Sequence, residues 1–226
     1  MAYVLGFIYA DGTLIDDKIS RGRYLAITSV DEDIILRIKS WLGSQHKIGK
    51  EPPIWSGGKD RFRIRIGNAV LYKALEKIGL YPNKSLTIIM PAMPEPFFKD
   101  FLRGYFDGDG CVHFERAKGK KKKMIIKRLS VIFTSGSRIF LEQIGSLLEA
   151  RLGIKGHIYQ SQRAFQLRFF TADSIQIFKF MYYDVASDGF FMRKYVIFEE
   201  YFALCKKKLD QDICGILQAI QGHVAN

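Results

Sequence analysis

Two aspartates, Asp11 and Asp109, close matching ten-residue stretches, VLGFIYADGT (4–13) and LRGYFDGDGC (102–111). Gly6 aligns with Gly104, Ala10 with Gly108, Asp11 with Asp109 and Gly12 with Gly110, at an offset of 109 − 11 = 98 residues. Each stretch reads as an apolar helix ending on an acid. Paired carboxylates near helix C-termini are repelled by each other and by the partial negative charge of the last carbonyls. A hard divalent cation relieves that repulsion. It takes carboxylate and backbone carbonyl oxygens and fills its remaining positions with water. A single Asp of this kind reads as a helix end; two, each behind small residues, point to a functional site. The rival EF-hand reading of DGDG fails, because counting from Asp107 the fifth position is Cys111 and the twelfth is Lys118, where a Glu is required. His46, His113, His157 and His223 show no zinc spacing, and Cys111, Cys205 and Cys214 form no CxxC pair and read as reduced thiols.

The elements behind these acids follow from the small residues. Gly6 and Ala10 share one helix face, as do Gly104 and Gly108, and small residues at i and i+4 let two backbones approach closely. Pairing of these faces would bring Asp11 and Asp109 together. Gly12 and Gly110 are expected at the helix C′ position that turns the chain into a strand.

The duplication continues downstream. RYLAITSVDEDIILRIKSWLG (23–43) resembles RLSVIFTSGSRIFLEQIGSLL (128–148), and DRFRIRIGNAVLYKALEKIGL (60–80) resembles RAFQLRFFTADSIQIFKFMYY (163–183). YPNKSLTII (81–89) pairs with GFFMRKYVIF (189–198), which puts Lys84 and Lys194 in equivalent places. The expected class is mixed α+β, two αββαββα repeats related by a pseudo-twofold. The expected layout is a first repeat over 1–90, a proline-punctuated linker over 91–99, a second repeat over 100–208 and a tail over 209–226, where DICGILQAIQGHV reads as a short helix. Ser29 with Glu32 predicts a capping box for a helix beginning near Asp31, and SGG at 56–58 predicts a hairpin turn.

Strand periodicity sets out a polar face in each repeat. Arg61, Arg63 and Arg65 alternate with Phe62, Ile64 and Ile66, a half-buried strand with one basic side. The outward set expected to face nucleic acid is Tyr24, Ala26, Thr28, Arg61, Arg63 and Arg65, then His113, Ser130, Gln166 and Arg168. Arg can pair with guanine and Gln with adenine, while other contacts hold phosphate. The KGKKKK run at 118–123 lies in the first hairpin of the second repeat. It behaves as an insertion, since the offset grows from 98 at the acids to 194 − 84 = 110 at the lysines. Its Lys120, Lys121 and Lys122 read as phosphate-binding.

Bulk properties agree. Net charge is +12 over 226 residues, with 48% hydrophobic and 14% aromatic content. That composition reads as a globular chain, and a polyanionic partner, nucleic acid first, is expected from the charge, the bland alternative being a merely soluble basic protein. The chain has no apolar run of membrane-spanning length and no secretory signal, so an intracellular protein is expected; two repeats paired within one chain are expected to act as a monomer.

The two stretches resemble the signature of the LAGLIDADG homing endonucleases in their single-chain, two-motif form. Tyr9 stands where that family often has Asp, and Arg103 occupies a variable position. The resemblance runs over residues 1 to about 204 and implies two saddle-shaped antiparallel sheets astride DNA, packed through the two motif helices. It implies metal-dependent hydrolysis of both strands of a duplex target of about 20 bp, one helical turn per sheet, leaving short 3′ overhangs. Asp11 and Asp109 would bind the metal, with Mg2+ expected, and the carbonyls of Ala10 and Gly108 would be further ligands. Lys84 and Lys194 would orient water or stabilise the transition state. Asp107 takes a helix-end or supporting role. The residues leave two alternatives open. One is a non-cleaving binder on this scaffold, such as an intron RNA maturase or a transcription regulator. The other is a generic basic protein whose duplication is structural. Intron and intein are both open as the setting of the gene.

Overall fold

The computed structural model describes residues 1–18, 22–118, 124–185 and 189–224. Lys120, Lys121 and Lys122 lie outside the described residues. The first repeat runs α1 (Ala2–Asp11), β1 (Gly12–Asp17), β2 (Gly22–Ser29), α2 (Glu32–Trp41), β3 (Ile48–Glu51), β4 (Arg61–Gly67) and α3 (Ala69–Lys77). The second runs α4 (Phe98–Asp109), β5 (Gly110–Lys118), β6 (Met124–Ser135), α5 (Arg138–Leu152), β7 (His157–Gln160), β8 (Phe165–Phe170) and α6 (Thr171–Tyr182), followed by α7 (Met192–Leu204) and α8 (Gln211–Val224). Both repeats therefore have the order αββαββα. Each holds a four-stranded antiparallel sheet, ordered β1-β2-β4-β3 in the first and β5-β6-β8-β7 in the second.

Local chemistry explains the element ends. The Asn68 side chain accepts from the amides of Val70 and Leu71 at 2.9 and 3.0 Å and opens α3. Ser137 accepts from the Phe140 amide and opens α5, which stops at Gly153 with φ +66. The capping box at Ser29 does not form. Its hydroxyl accepts from the Asp31 amide at 3.2 Å, and Asp31 itself is the N-cap residue of α2. An Asx- or Ser-type turn two residues long competes with the longer box for the same hydroxyl. The hairpin between β3 and β4 turns at Gly57, φ +82.

The compact units are Met1–Gly108 and Asp109–Asn226. Thus α4, whose sequence opens the second repeat, packs almost entirely within the first unit. There the core is Leu14, Leu25, Ile27, Ile64 and Ile66 on one sheet face, covered by Ile34, Ile35 and Ile38 of α2 and Tyr72 and Leu75 of α3. In the second unit Val112, Leu129, Val131, Phe133, Leu167 and Phe169 line the sheet. An aromatic cluster behind it centres on Phe178, whose ring lies 5.0 Å from those of Phe198 and Phe202 and 5.2 Å from Tyr182. The inserted residues of the second repeat lengthen its first hairpin: β5 and β6 have 9 and 12 residues, against 6 and 8 in β1 and β2. Helix α8 docks on α6 through buried Ile213, Ile216 and Ile220 and through Lys179, which meets Asp210 at 2.6 Å and Asp212 at 2.9 Å. Among the described residues, no helix is long and apolar enough to cross a membrane.

Candidate active site and nucleic-acid interface

Helix α1 is apolar on nearly every side, as a helix enclosed by protein must be. Its close approach to α4 is built on glycine. A Cβ at Gly6 would collide with the Phe101 carbonyl oxygen and stand 2.8 Å from the Tyr105 nitrogen. A Cβ at Gly104 would collide with the Tyr3 carbonyl oxygen, and one at Gly108 with Ala10. The same Gly108 position lies 3.4 Å from a carboxylate oxygen of Asp11, which ends α1 half-exposed. Gly12 does not take the left-handed C′ conformation; its φ is −85. What it supplies is room, since a Cβ there would stand 2.5 Å from the Ile8 carbonyl oxygen.

The two copies differ just before their final acids. Tyr9 is buried and donates its hydroxyl to the Ile78 carbonyl at 2.6 Å, and burial pushes its phenol far above the ordinary range. Asp107, its counterpart, is 2% exposed and accepts from the Tyr3 hydroxyl at 2.7 Å, tying α4 to α1. Arg103 is buried too; it meets Asp100 at 2.7 Å and lies 5.6 Å from the Tyr3 ring centre. Asp109 then closes α4 with its side chain exposed.

Lys84 and Lys194 are 6% and 7% exposed, which removes them from the class of solvated surface lysines. Lys84 donates to the Tyr9 carbonyl at 2.9 Å, in the last turn of α1. A cation suits that negative helix end. Lys194 donates to the Gly110 carbonyl at 2.6 Å, where α4 passes into β5. Each ammonium therefore sits beside the main chain that carries an acid, two residues before Asp11 and one after Asp109.

The donor chemistry at these helix ends is hard oxygen. Among the described residues, no three or more His, Cys, Asp or Glu side chains gather into a metal-holding group. One or two carboxylates with carbonyls, waters and substrate phosphate are the set that magnesium takes, whereas a soft or all-protein site would need more. The residues present fit the former.

Register defines the polar sheet faces. In the first unit Thr13, Ala26 and Arg65 form one row, and Thr28, Arg63 and Gly49 another. Arg61 and Arg63 share Glu51, at 3.1 and 3.2 Å, and Arg65 lies over Tyr24. In the second unit the rows are Cys111, Ile132, Arg168 and His157, then His113, Ser130 and Phe170. His113 is exposed, Gln166 and Arg168 are half-buried, and Gln166 accepts from Arg168. Two members of the expected outward set are not presented to solvent. Ala26 and Ser130 are buried, because each is a short side chain on an inner strand flanked by longer neighbours in its own row. Sequence reasoning missed Glu51, Glu115, Tyr3 and Tyr159. Glu51 and Glu115 hold arginines, Tyr3 holds Asp107, and Tyr159 lies under Arg168. Only the strand alternation at Glu51 and Glu115 could have flagged any of them.

Residues 99–180 match the family model of the LAGLIDADG-like domain. The chain is 26% identical over 179 residues to the reverse gyrase of Methanocaldococcus jannaschii, and 28% identical over 116 residues to an uncharacterised protein of the same organism. These matches cover 78% and 50% of this chain but only 10% and 39% of those relatives. Three solved structures share the fold. The I-LtrWI LAGLIDADG homing endonuclease bound to target DNA aligns over 97% of this chain and 95% of that one, with TM-score 0.62 and 15% identity. The LAGLIDADG meganuclease I-AabMI bound to uncleaved DNA aligns over 97% of both chains, with TM-score 0.61 and 14% identity. The I-SmaMI LAGLIDADG homing endonuclease bound to cleaved DNA aligns over 98% of this chain and 95% of that one, with TM-score 0.60 and 14% identity.

Proposed function

We propose that this chain belongs with the LAGLIDADG endonucleases in their single-chain, two-repeat form and is a site-specific, divalent-metal-dependent DNA endonuclease. It hydrolyses both strands of a duplex target of about 20 bp, one helical turn for each sheet, and leaves short 3′ overhangs. One observation carries the reading: Asp11 and Asp109 close equivalent helices, and each leads directly into a sheet whose polar face bears arginine. The DNA-bound state of the structurally similar endonucleases supports the same partner.

In this reading Asp11 and Asp109, with the carbonyls of Ala10 and Gly108, hold Mg2+. When bound, the ion supplies charge neutralisation on the phosphate and an acidified water. The chain does the rest. Lys84 and Lys194, buried against main chain beside the acids, hold positive charge where phosphate negative charge develops. The strand arginines fix the duplex, and the lysine run that includes Lys120, Lys121 and Lys122 supplies further charge for phosphate.

The test is cleavage of a randomised duplex library with Mg2+, then with Ca2+ in its place. A discrete double-strand break with Mg2+ is expected. Asp11→Asn and Asp109→Asn should each lower the cleavage rate about 100-fold or more while duplex binding persists. Tight duplex binding without any break would instead favour the non-cleaving binder, an RNA maturase or a regulator. No binding to either nucleic acid would leave the duplication purely structural.

A further inference from the structure

We propose that Arg65 and Arg168 are the two arginines that read base identity, each recognising a guanine, while the neighbouring arginines position the protein. The inference rests on the DNA-binding reading above and deepens it. Arg65 and Arg168 occupy equivalent places: they align in the repeats at 168 − 65 = 103 residues, and each lies on the third strand of its sheet. On the adjoining inner strand each faces an apolar residue, Ala26 for Arg65 and Ile132 for Arg168, and on its other side Arg168 faces His157.

Their surroundings separate them from the other arginines on the polar sheet faces. The Arg65 guanidinium lies 4.6 Å from the Tyr24 ring centre, and that of Arg168 lies 4.9 Å from the Tyr159 ring centre. By contrast Arg61 and Arg63 are bound to Glu51, and Arg128, although 4.6 Å from the Phe170 ring centre, is bound to Glu115. A carboxylate partner uses the donors of a guanidinium, so an arginine must give up that bond before it can donate to a base. An aromatic ring uses its flat face and leaves the donor edge open. Holding that edge in place beforehand reduces the ordering cost of the contact.

Arg168 carries a second support. Gln166 Oε1 accepts from its Nε at 3.1 Å and from its Nη2 at 2.6 Å. Arginine has five N–H donors, so three remain, and guanine O6 and N7 need two. Gln166 is therefore a positioning residue for Arg168, which revises its sequence-based assignment as an adenine reader. The equivalent position in the first repeat is Arg63, held by Glu51, so the first reader is supported by its tyrosine alone.

Binding selection from a randomised duplex pool, run with Ca2+ so that bound DNA stays intact, tests this. Wild type should return a fixed guanine in each half of the selected site. Arg65→Ala should flatten one guanine column and Arg168→Ala the other, each by about tenfold in preference. Gln166→Ala and Gln166→Glu should weaken the Arg168 column without creating or removing an adenine column. Arg63→Ala should lower affinity for all sequences alike and keep both guanine columns. Survival of both columns in Arg65→Ala and Arg168→Ala, or loss of one in Arg63→Ala, overturns the proposal and leaves the endonuclease reading standing. Failure of the wild type to select any duplex removes both.

Discussion

Lys84 and Lys194 show what burial adds to a residue already suspected from sequence. A lysine ammonium kept from water needs a reason, and here each has a backbone carbonyl beside an acid-bearing segment. Lys84→Met keeps most of the stem and removes the charge. It should slow cleavage about 100-fold while changing duplex affinity less than about twofold. A shift in thermal stability with no change in rate would reduce Lys84 to a helix-end support. Tyr3 belongs to the same scale. Its hydroxyl is a donor to the buried Asp107 carboxylate, so Tyr3→Phe should cost about 1–3 kcal/mol, read by urea unfolding. Asp107 thus acts in packing, in the place where the first copy uses an uncharged Tyr9 bonded to Ile78.

At the scale of elements, the α1–α4 approach depends on two glycines that meet backbone rather than side chain. Backbone cannot rotate away, so Gly6→Ala and Gly104→Ala should each destabilise by more than about 3 kcal/mol, or prevent folding, when followed by circular dichroism in urea. Gly215 gives the contrast. It lies within α8 with nothing near a Cβ, so Gly215→Ala should stabilise by about 0.5–1 kcal/mol. The docking of α8 has its own pH signature. The hydrogen bond from Lys179 holds the Asp210 carboxyl below its ordinary value. A depressed folded pKa means the contribution is present above the unfolded value, about 3.9, and is lost as pH falls through the folded one. Amide protection of α8 should therefore decline below about pH 4, and Lys179→Ala should weaken that dependence, leaving the part due to the Ile213 amide that Asp210 accepts. The tail called a short helix from sequence is this element, and its partner on α6 lies 33 residues upstream in the case of Asp212 and Lys179.

For the whole molecule, a net charge of +12 should make the proposed duplex affinity a function of salt. Raising salt from about 50 to about 200 mM should weaken binding about 100-fold or more, and the log–log slope should count the phosphates contacted. The two carboxylate-held arginines on β4 lower that count relative to a naive reading of the basic strand. The amino-acid sequence by itself determined the duplicated αββαββα order, the acids at the helix ends and the side of the strand that Arg61, Arg63 and Arg65 share. Those features are written in periods of two and 3.6 residues and in a repeat, all of which are local. Tertiary structure alone decided that Glu51 takes Arg61 and Arg63, that Tyr3 reaches Asp107 across 104 residues, that Ala26 and Ser130 are covered by their row neighbours, and that α4 packs with the first unit. Each of these depends on which strand or helix lies alongside and in what register, and no local spacing encodes that.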